Sequence, residues 1–507
     1  MSSIRKLANQ TLWYGGSYVA ARFLNVFLKF ALTYFIPASS YGEMGKTYVY
    51  TTFLAVLFTY GLETAYFRFV QQHKSKQQLF NTSFSSILGS TVLLSLSMII
   101  WAQPLADLFK ISAHPEWVRW FAFILGFDAL AAIPFARLRQ EQRPVKYAFI
   151  KFLNVFLQVV FILYFLVLCP SIQRHHPGSL LLRFYDPSIG VGYVFIANLI
   201  ASALTLCFLY KELSGFRPHI DRRLWKKLIL YSLPLVIVGF GGMINEVVDR
   251  ILLDYLLPYP GDVRNTIIAI YQVGYQFAML INIFIQIFRM GAEPFFFNEM
   301  DKSNAKETYA RVMKFFVIGS CWMFLGIVLF RDVWQALNLV DIRSHPEYAE
   351  SFKVIPQLAL AYVCLGIYYN LSIWYKLTNR TVAGAVITLV GVVVTLVLNF
   401  WWIPRYSYVG CAWASFFCYF VMMILSFIWG QKKYPVPYEW KKLGGYFVGV
   451  IIICIFHQWI KAYFHHFLWS IVSGVVLLIA FMAFTLMKDR EEFAKLPIVG
   501  KYLGTAR

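Results

Sequence analysis

The sequence predicts an all-α, polytopic membrane protein of about fourteen transmembrane helices, on three observations. Hydrophobic residues make up 59% of the 507 residues and charged residues 14%, with a mean hydropathy of +0.60, whereas an average soluble domain carries about 25% charged residues. Apolar runs of the length that crosses a bilayer, about 20 residues, recur along the whole chain. The connections between these runs are short and contain breakers, as in Pro258-Tyr259-Pro260-Gly261.

The apolar runs define fourteen predicted spans, which we number in chain order. They are 10–36, 44–69, 79–103, 117–136, 145–169, 189–210, 228–257, 266–292, 311–330, 354–375, 381–403, 407–430, 443–463 and 465–487. The two longest outward loops, about 170–188 and 331–353, are too short to hold a catalytic domain. We therefore predict a transporter and not an enzyme, with no catalytic residues.

The formal net charge of +21 would suggest nucleic acid as the partner of a soluble protein. In a membrane protein, loop Lys and Arg concentrate on the cytoplasmic side. If the N-terminus is cytoplasmic, the segments on that side carry well over half of the 46 Lys and Arg. We therefore predict that both termini are cytoplasmic and that no nucleic acid is bound.

The seven cysteines are scattered, without CxxC or Cys/His metal spacing. Most lie in apolar runs and are interpreted as small helix residues. We predict no metal site and no cofactor. A cleavable signal peptide is not expected either, because residues 1–10 are polar and the first apolar run is too long.

Matched motifs indicate an internal repeat. Pro37 ends span 1 and Pro258 ends span 7, and a Phe-Arg pair places its arginine, Arg68 or Arg289, thirty-one residues after each proline. Val191-Gly192 opens span 6, and Val409-Gly410 opens span 12 in the same order.

The repeat predicts three parts. They are an N-terminal lobe (1–212, spans 1–6), a C-terminal lobe (213–431, spans 7–12), and two extra helices with a cytoplasmic tail (432–507). Parallel repeats of this kind place a transporter's site between the halves.

Span 1 carries a polar stripe. Arg22, Asn25, Lys29 and Thr33 are spaced i, i+3, i+7 and i+11, so they share one helix face. A charge at a helix centre costs roughly 2.5–3.5 kcal/mol on insertion scales. We predict that this face lines a wet interior; the alternative is that Arg22 and Lys29 pair with acids on neighbouring helices.

Span 8 carries a longer polar face that drifts slowly around the helix. Its members are Gln272, Gln276, Asn282, Gln286, Arg289 and Glu293. We predict that this face also lines a cavity, although polar side chains can equally join helices by hydrogen bonds.

Three acids within the spans are candidates for ion coupling: Glu63, Glu246 and Asp249. Asp249 could instead orient Arg250 in a cavity or form an interhelical salt bridge. Glu63 could instead neutralise Lys29 or Arg22.

The polar stripes are predominantly cationic, which selects an anionic solute or headgroup. Arg and Lys bind phosphate oxygens strongly, so a pyrophosphate fits well. The predicted substrate-binding residues are Arg22, Asn25, Lys29, Arg250, Gln276, Asn282, Gln286 and Arg289.

An ordered set of residues gives the chain a family resemblance. It comprises Pro234 in Tyr231-Ser232-Leu233-Pro234, then Asp249-Arg250, Tyr271, Pro294, and the two Val-Gly pairs. With these residues the chain resembles the Wzx-like polysaccharide flippases, which transport O-antigen and capsule units, of the multidrug/oligosaccharidyl-lipid/polysaccharide exporter superfamily. It departs from the pattern at Ala269, where the family often has glycine.

The resemblance implies a V-shaped, two-lobed bundle that works by alternating access in the bacterial inner membrane. It implies flipping of an undecaprenyl-pyrophosphate-linked oligosaccharide for surface polysaccharide biosynthesis, with Arg22, Lys29, Arg250 and Arg289 as carried-over cavity cations. Expected partners are the lipid-linked oligosaccharide, membrane lipids and polysaccharide polymerase or assembly proteins. The chain is expected to act as a monomer.

Four alternatives stay open at this point. A peptidoglycan-precursor flippase also has fourteen helices and a cationic cavity. A drug/cation antiporter of the same superfamily would need a more acidic cavity. A membrane glycan polymerase or glycosyltransferase would need a large outer loop or an Asp-x-Asp motif, and the sequence has neither. The last alternative, a scaffold subunit of an export complex, would not require polar stripes.

Overall fold

A computed structural model describes residues 3–70, 75–300, 302–378 and 380–493. Within these ranges the chain folds into helices and connecting turns, without β-strands, which confirms the all-α class. Ten described helices are long and apolar enough to cross a membrane, and the chain is a multi-pass membrane protein. The number fourteen stays a prediction. Residues 494–507 of the predicted tail lie outside the described residues.

In the first half of the chain, the described residues form eleven α-helices. They are α1 (Ser3–Leu32), α2 (Ala38–Thr59), α3 (Leu62–Phe69), α4 (Lys76–Ile100), α5 (Ala102–Leu108), α6 (Pro115–Gln140), α7 (Pro144–Leu163), α8 (Cys169–His175), α9 (Gly192–Phe208), α10 (Tyr210–Leu213) and α11 (Arg222–Leu256). A π-helical turn, Tyr164–Leu168, joins α7 to α8. Short 3-10 turns lie at Leu180–Leu182 and Pro187–Ile189.

The described part of the second half forms nine α-helices. They are α12 (Gly261–Glu299), α13 (Ala305–Val328), α14 (Arg331–Ala336), α15 (Ile355–Leu371), α16 (Ile373–Leu377), α17 (Thr381–Lys433), α18 (Trp440–Phe464), α19 (Phe467–Lys488) and α20 (Arg490–Phe493). A 3-10 segment, Pro346–Lys353, precedes α15.

Local chemistry explains several helix boundaries. The Asp221 side chain accepts hydrogen bonds from the backbone N–H groups of Arg223 and Leu224 and caps α11. Span 2 is divided into α2 and α3 because Tyr60 and Gly61 both adopt left-handed φ angles, 33° and 69°. Glycine adopts such angles without steric cost.

Helix α17 contains spans 11 and 12, separated by a reversal at Ser407, which has φ 52° and ψ −137°. A Cβ atom added to Gly410 would lie 2.9 Å from the carbonyl oxygen of Trp402. Residues eight apart in a straight helix are separated by about 12 Å, so this contact requires that the two helical segments fold back on each other.

The chain forms two compact units. Unit 1 contains Met1–Val273, Arg343–Tyr348 and Thr388–Ala414. Its core includes an aromatic cluster in which Tyr48 packs edge to face with Phe121 and Phe195, and the latter two rings are tilted against each other. The predicted division into lobes 1–212 and 213–431 stays a prediction.

Unit 2 contains Gly274–Ile342, Ala349–Ile387 and Ser415–Arg507. Helix α13 lies at its centre, in contact with α15, α18 and α19. The outer faces of α18 and α19 expose large apolar side chains such as Ile455 and Met487, as expected of helices that lipid solvates.

Candidate functional site

A buried charged group lies in the C-terminal half of α11 in unit 1. Asp249 and Arg250 are 3% and 5% exposed. The Arg250 backbone N–H donates to Asp249 Oδ1 (2.8 Å), and its guanidinium lies 4.0 Å from the same oxygen. The Tyr271 hydroxyl from α12 also donates to Asp249. These contacts fix the carboxylate beside the arginine, as buried charges require.

The predicted cations of α1 belong to the same electrostatic group. The charges of Arg250 and Arg22 both act on Lys29, which is half-buried, as are Arg22 and Asn25. The charges of Arg22 and Arg250 therefore both reach Lys29, and Asp249 lies beside Arg250. Thr33 is fully buried and donates to the Phe30 carbonyl at 2.7 Å, so it belongs to the helix packing.

The residues one turn before Asp249 are held by α17. The Asn245 side chain donates to the Thr388 carbonyl oxygen (3.1 Å) and accepts from the Thr395 hydroxyl (3.3 Å). Glu246, the next residue, is half-buried. Asn245 thereby fixes the side of α11 that presents Asp249.

Glu63 pairs with Arg139 of α6, whose guanidinium donates to its carboxylate. Both side chains keep more than a third of their surface exposed. The described contacts of Glu63 therefore involve an arginine near a helix end and not the two α1 cations suggested as its partners.

Arg289 lies in unit 2 in an ion network of its own. Its Nε donates to Glu293 Oε1 at 3.0 Å, and Lys376 donates to the same oxygen at 2.6 Å. The Arg289 guanidinium also lies over the Tyr369 ring, 4.8 Å from its centroid. Two cations thus share one carboxylate, which leaves the network positive.

The amides of the span-8 stripe lie along the same helix, α12. Gln286 donates to Asn282 Oδ1 at 3.3 Å, and Asn282 donates to the Met279 sulfur at 3.5 Å. Gln276 is 2% exposed, and its Oε1 has no hydrogen-bond partner among the described residues. The stripe is therefore mostly buried, with its exposed part towards Arg289.

The sequence analysis missed an ion cluster in unit 1 that we name the Asp254 cluster (Lys46, Lys110, Asp254 and Arg264). Asp254 is fully buried, with Lys46 Nζ at 3.3 Å and Arg264 Nε at 3.2 Å from its carboxylate. Lys46 also donates to the Lys110 carbonyl oxygen (3.2 Å), and Lys110 Nζ donates to the Asp254 carbonyl oxygen (2.9 Å). Three cations therefore converge on one aspartate.

A second missed cluster lies in unit 2, and we name it the Lys314 cluster (Lys314, Glu439, Asp489 and Glu492). Lys314, 3% exposed, lies 2.7 Å from Glu439, 2.7 Å from Glu492 and 3.4 Å from Asp489. The hydrogen bond from Lys314 lowers the pKa of Glu439. Burial opposes ionisation of Asp489, but hydrogen bonds from Lys442 and Tyr446 outweigh it and lower the pKa of that carboxyl.

Neither cluster was predicted because Lys46 and Lys314 lie near the starts of spans 2 and 9, where a lysine is interpreted as a loop charge. The sequence nevertheless contains an indication of both clusters, because each lysine lies inside the boundary of its predicted span. Among the described residues, no group of three or more His, Cys, Asp or Glu is arranged to hold a metal ion.

Comparisons with known proteins place this geometry in context. The family described as "Polysaccharide biosynthesis protein" matches residues 7–300, whereas no curated protein matches the chain.

Solved structures share its fold. The lipid II flippase MurJ, in an inward-closed conformation, superposes with a TM-score of 0.70 at 13% identity, over 94% of this chain and 99% of that one. An inward-facing multidrug resistance MATE family transporter of the MOP superfamily gives 0.60 at 14% identity, over 85% and 98%. The bent form of the Vibrio cholerae MATE transporter VcmN gives 0.56 at 14% identity, over 85% and 98%.

Proposed function

This chain belongs to the polysaccharide biosynthesis protein family, and from that premise we propose that it flips an undecaprenyl-pyrophosphate-linked oligosaccharide across the bacterial inner membrane. The family match confirms the resemblance to the exporter superfamily that the sequence analysis identified. The proposed direction is from the cytoplasmic to the outer leaflet, in support of surface polysaccharide biosynthesis. The proposal makes the chain a transporter and not an enzyme.

The observation that carries the proposal is that the charges of Arg22 and Arg250 both act on Lys29, with Asp249 beside Arg250. Cations grouped in this way attract an anion, and in a low-dielectric interior this attraction is far stronger than in water. A pyrophosphate presents several oxygens that arginine and lysine bind well. The polyprenyl tail can stay in the lipid while the pyrophosphate and the sugars pass through a wet path.

The same observation argues against export of cationic drugs, because three grouped cations repel such a substrate. The amides Asn25 of unit 1 and Gln276, Asn282 and Gln286 of unit 2 are proposed as neutral hydrogen-bonding groups for hydroxyl-rich sugars. Arg289 is proposed to meet the anionic part of the cargo in unit 2, where it shares Glu293 with Lys376.

The experiment is deletion of the gene followed by lipid analysis. We expect lipid-linked repeat units to accumulate in the cytoplasmic leaflet and surface polysaccharide to disappear. Normal surface polysaccharide together with sensitivity to cationic drugs would favour the antiporter, and accumulation of peptidoglycan precursor would favour the lipid II type of cargo.

Complementation then tests the site. Arg22→Ala, Arg250→Gln and Arg289→Ala should abolish export while the protein stays in the membrane. Lys226→Gln, which removes an exposed cation of α11, should export normally. Wild-type export by all three cavity variants would contradict the site assignment.

Ion coupling is proposed to use Glu63, Glu246 or Asp249. A positioning role for Asp249 is also part of the proposal, and its contacts with Arg250 support it. Vesicle transport should fall when ion gradients are collapsed, and the Glu→Gln or Asp→Asn variant of the coupling residue should lose that dependence. Transport that is unchanged without any gradient would contradict the coupling proposal.

The remaining parts of the proposal follow from the sequence. Both termini are cytoplasmic, the lobes are 1–212 and 213–431 with two extra helices after them, and the chain acts as a monomer beside polysaccharide polymerase or assembly proteins. Accessibility labelling of single cysteines in intact cells would test the orientation.

A further inference from the structure

A recess in unit 1 opens where α3 and α6 end and α4 begins. It has a volume of about 410 Å3 and is lined by Phe67, Val70, Lys76, Arg139, Gln140 and Gln142. The volume lies in the usual range of ligand pockets, about 300–1,000 Å3. By the charge bias of the loops, this end of the helices is cytoplasmic. None of its lining residues belongs to the group around Arg250.

The start of α4 contributes positive charge to the recess. Lys76 is the first residue of this 25-residue helix, and its first turn contains no acid. The N-terminus of a helix carries a partial positive charge and favours anions. A lysine there adds a like charge, so a bound anion would stabilise both the helix end and Lys76.

Arg139 supplies a second cation, on the α6 side, in a fixed position. One of its terminal nitrogens donates to Glu63, and its guanidinium lies 5.4 Å from the centroid of the Phe67 ring. Its Nε is buried and has no hydrogen-bond partner among the described residues. A buried donor of this kind is costly unless a ligand or water satisfies it.

The floor of the recess is formed by the turn that ends α6. Gln142 adopts a left-handed φ of 54°, a conformation that costs a non-glycine residue energy and often marks a functional position. Gln140 and Gln142 add neutral amide donors, and Phe67 and Val70 add an apolar wall. The described lining thus combines two cations, two amides and an apolar side, and Glu63, the ion-pair partner of Arg139, is an acid beside it.

We propose that this recess binds the phosphate ester of a lipid headgroup at the cytoplasmic surface. The phosphate would interact with Lys76, the helix α4 N-terminus and Arg139, and the first carbons of the lipid would lie against Phe67. Two lipids present this chemistry, an anionic phospholipid and the polyprenyl diphosphate of the proposed cargo. The site is a surface site, and its existence does not depend on the proposed flipping activity.

Lipid binding to the full-length protein in phosphatidylcholine nanodiscs tests the proposal. Phosphatidylglycerol and undecaprenyl diphosphate are titrated separately, and retained lipid is measured by native mass spectrometry. Lys76→Gln should weaken retention about tenfold, as expected for loss of one charge-assisted contact. Lys226→Gln is the matched control, since it removes one exposed cation outside the recess and should retain lipid as the wild type does.

The outcomes separate the two sources. Loss of phosphatidylglycerol alone identifies a phospholipid site, and loss of undecaprenyl diphosphate alone identifies a cargo site at the membrane surface. Equal retention of both lipids by Lys76→Gln and wild type overturns the proposal, as does an equal loss in the Lys226→Gln control. Arg139→Lys keeps the charge but removes Nε, and a loss of retention in this variant as well would place the phosphate at the α6 side.

Discussion

The Asp254 cluster of unit 1 and the Lys314 cluster of unit 2 use opposite charges in the same arrangement. In the first, Lys46 and Arg264 pair with the buried carboxylate of Asp254, and Lys110 donates to the main-chain carbonyl oxygen of the same residue. In the second, three acids converge on one buried lysine. In each case the single central charge is almost completely buried, 0% exposed for Asp254 and 3% for Lys314, because several partners together can replace the water that it loses.

The clusters differ in whether the buried partner of the central charge has further ion-pair or hydrogen-bond partners. Lys46 is itself only 2% exposed and has Asp254 as its described carboxylate partner. Asp489 is the corresponding buried partner in unit 2, and it keeps Lys442 and Tyr446 when Lys314 is removed. The comparison teaches how a buried ion cluster tolerates the loss of one charge. The tolerance depends more on whether the remaining buried charge has further partners than on the number of ion pairs in the cluster.

The largest effect is expected for Asp254→Asn. This change leaves Lys46 buried beside a neutral amide, and loss of one partner of a buried pair costs about 3–5 kcal/mol. Thermal unfolding in detergent should show a large drop in melting temperature, whereas Asp262→Asn, an exposed acid of α12, should leave it unchanged. A melting temperature of Asp254→Asn equal to that of the wild type would show that groups other than the Asp254 carboxylate stabilise the buried charge of Lys46.

Lys314→Met should destabilise the protein less, by about 1–3 kcal/mol. The acids that lose Lys314 either have other partners or, like Glu439, remain about half exposed to water. The measurement is again the melting temperature, with the exposed Lys432→Met as the control. A loss as large as that of Asp254→Asn would refute the argument from second partners.

Arg264→Gln should cost roughly 1 kcal/mol or less, as for other partly exposed ion pairs. Asp254 keeps Lys46 in this variant, and the Arg264 side chain is 23% exposed. High salt should lower the free energy of unfolding of the wild-type protein by a similarly small amount. A severe loss would mean that Asp254 needs both cations.

The smallest change in stability is expected when the pH is lowered. Lys314 holds the pKa of Glu439 below its ordinary value of 4.5, so its ionised form stabilises the fold above that pH. This stabilisation should disappear as the pH falls through the lowered pKa. A melting curve measured from pH 7 down to about 3.5 should decline below about 4.5, and Glu439→Gln should show a shallower decline.

Much of the fold was predictable from the sequence because hydrophobic length alone marks a span. Each predicted span coincides with helical residues, and the charge of Arg250 acts on Lys29 of the predicted α1 stripe. The partners were less predictable. Lys46 and Asp254 are 208 residues apart, and Glu63 pairs with Arg139 across 76, so only the packing of distant helices decides which charges meet.

The reversal at Ser407 has a consequence for how the chain enters the bilayer during synthesis. A straight helix of the 53 residues of α17 would be about 80 Å long, well over twice the thickness of the hydrocarbon core. The reversal divides it into two apolar segments with almost no loop between them. The first segment therefore cannot cross the bilayer while the second remains outside it. Spans 11 and 12 should therefore leave the insertion machinery together as a preformed hairpin, and a bulky residue at position 410 would block its closure.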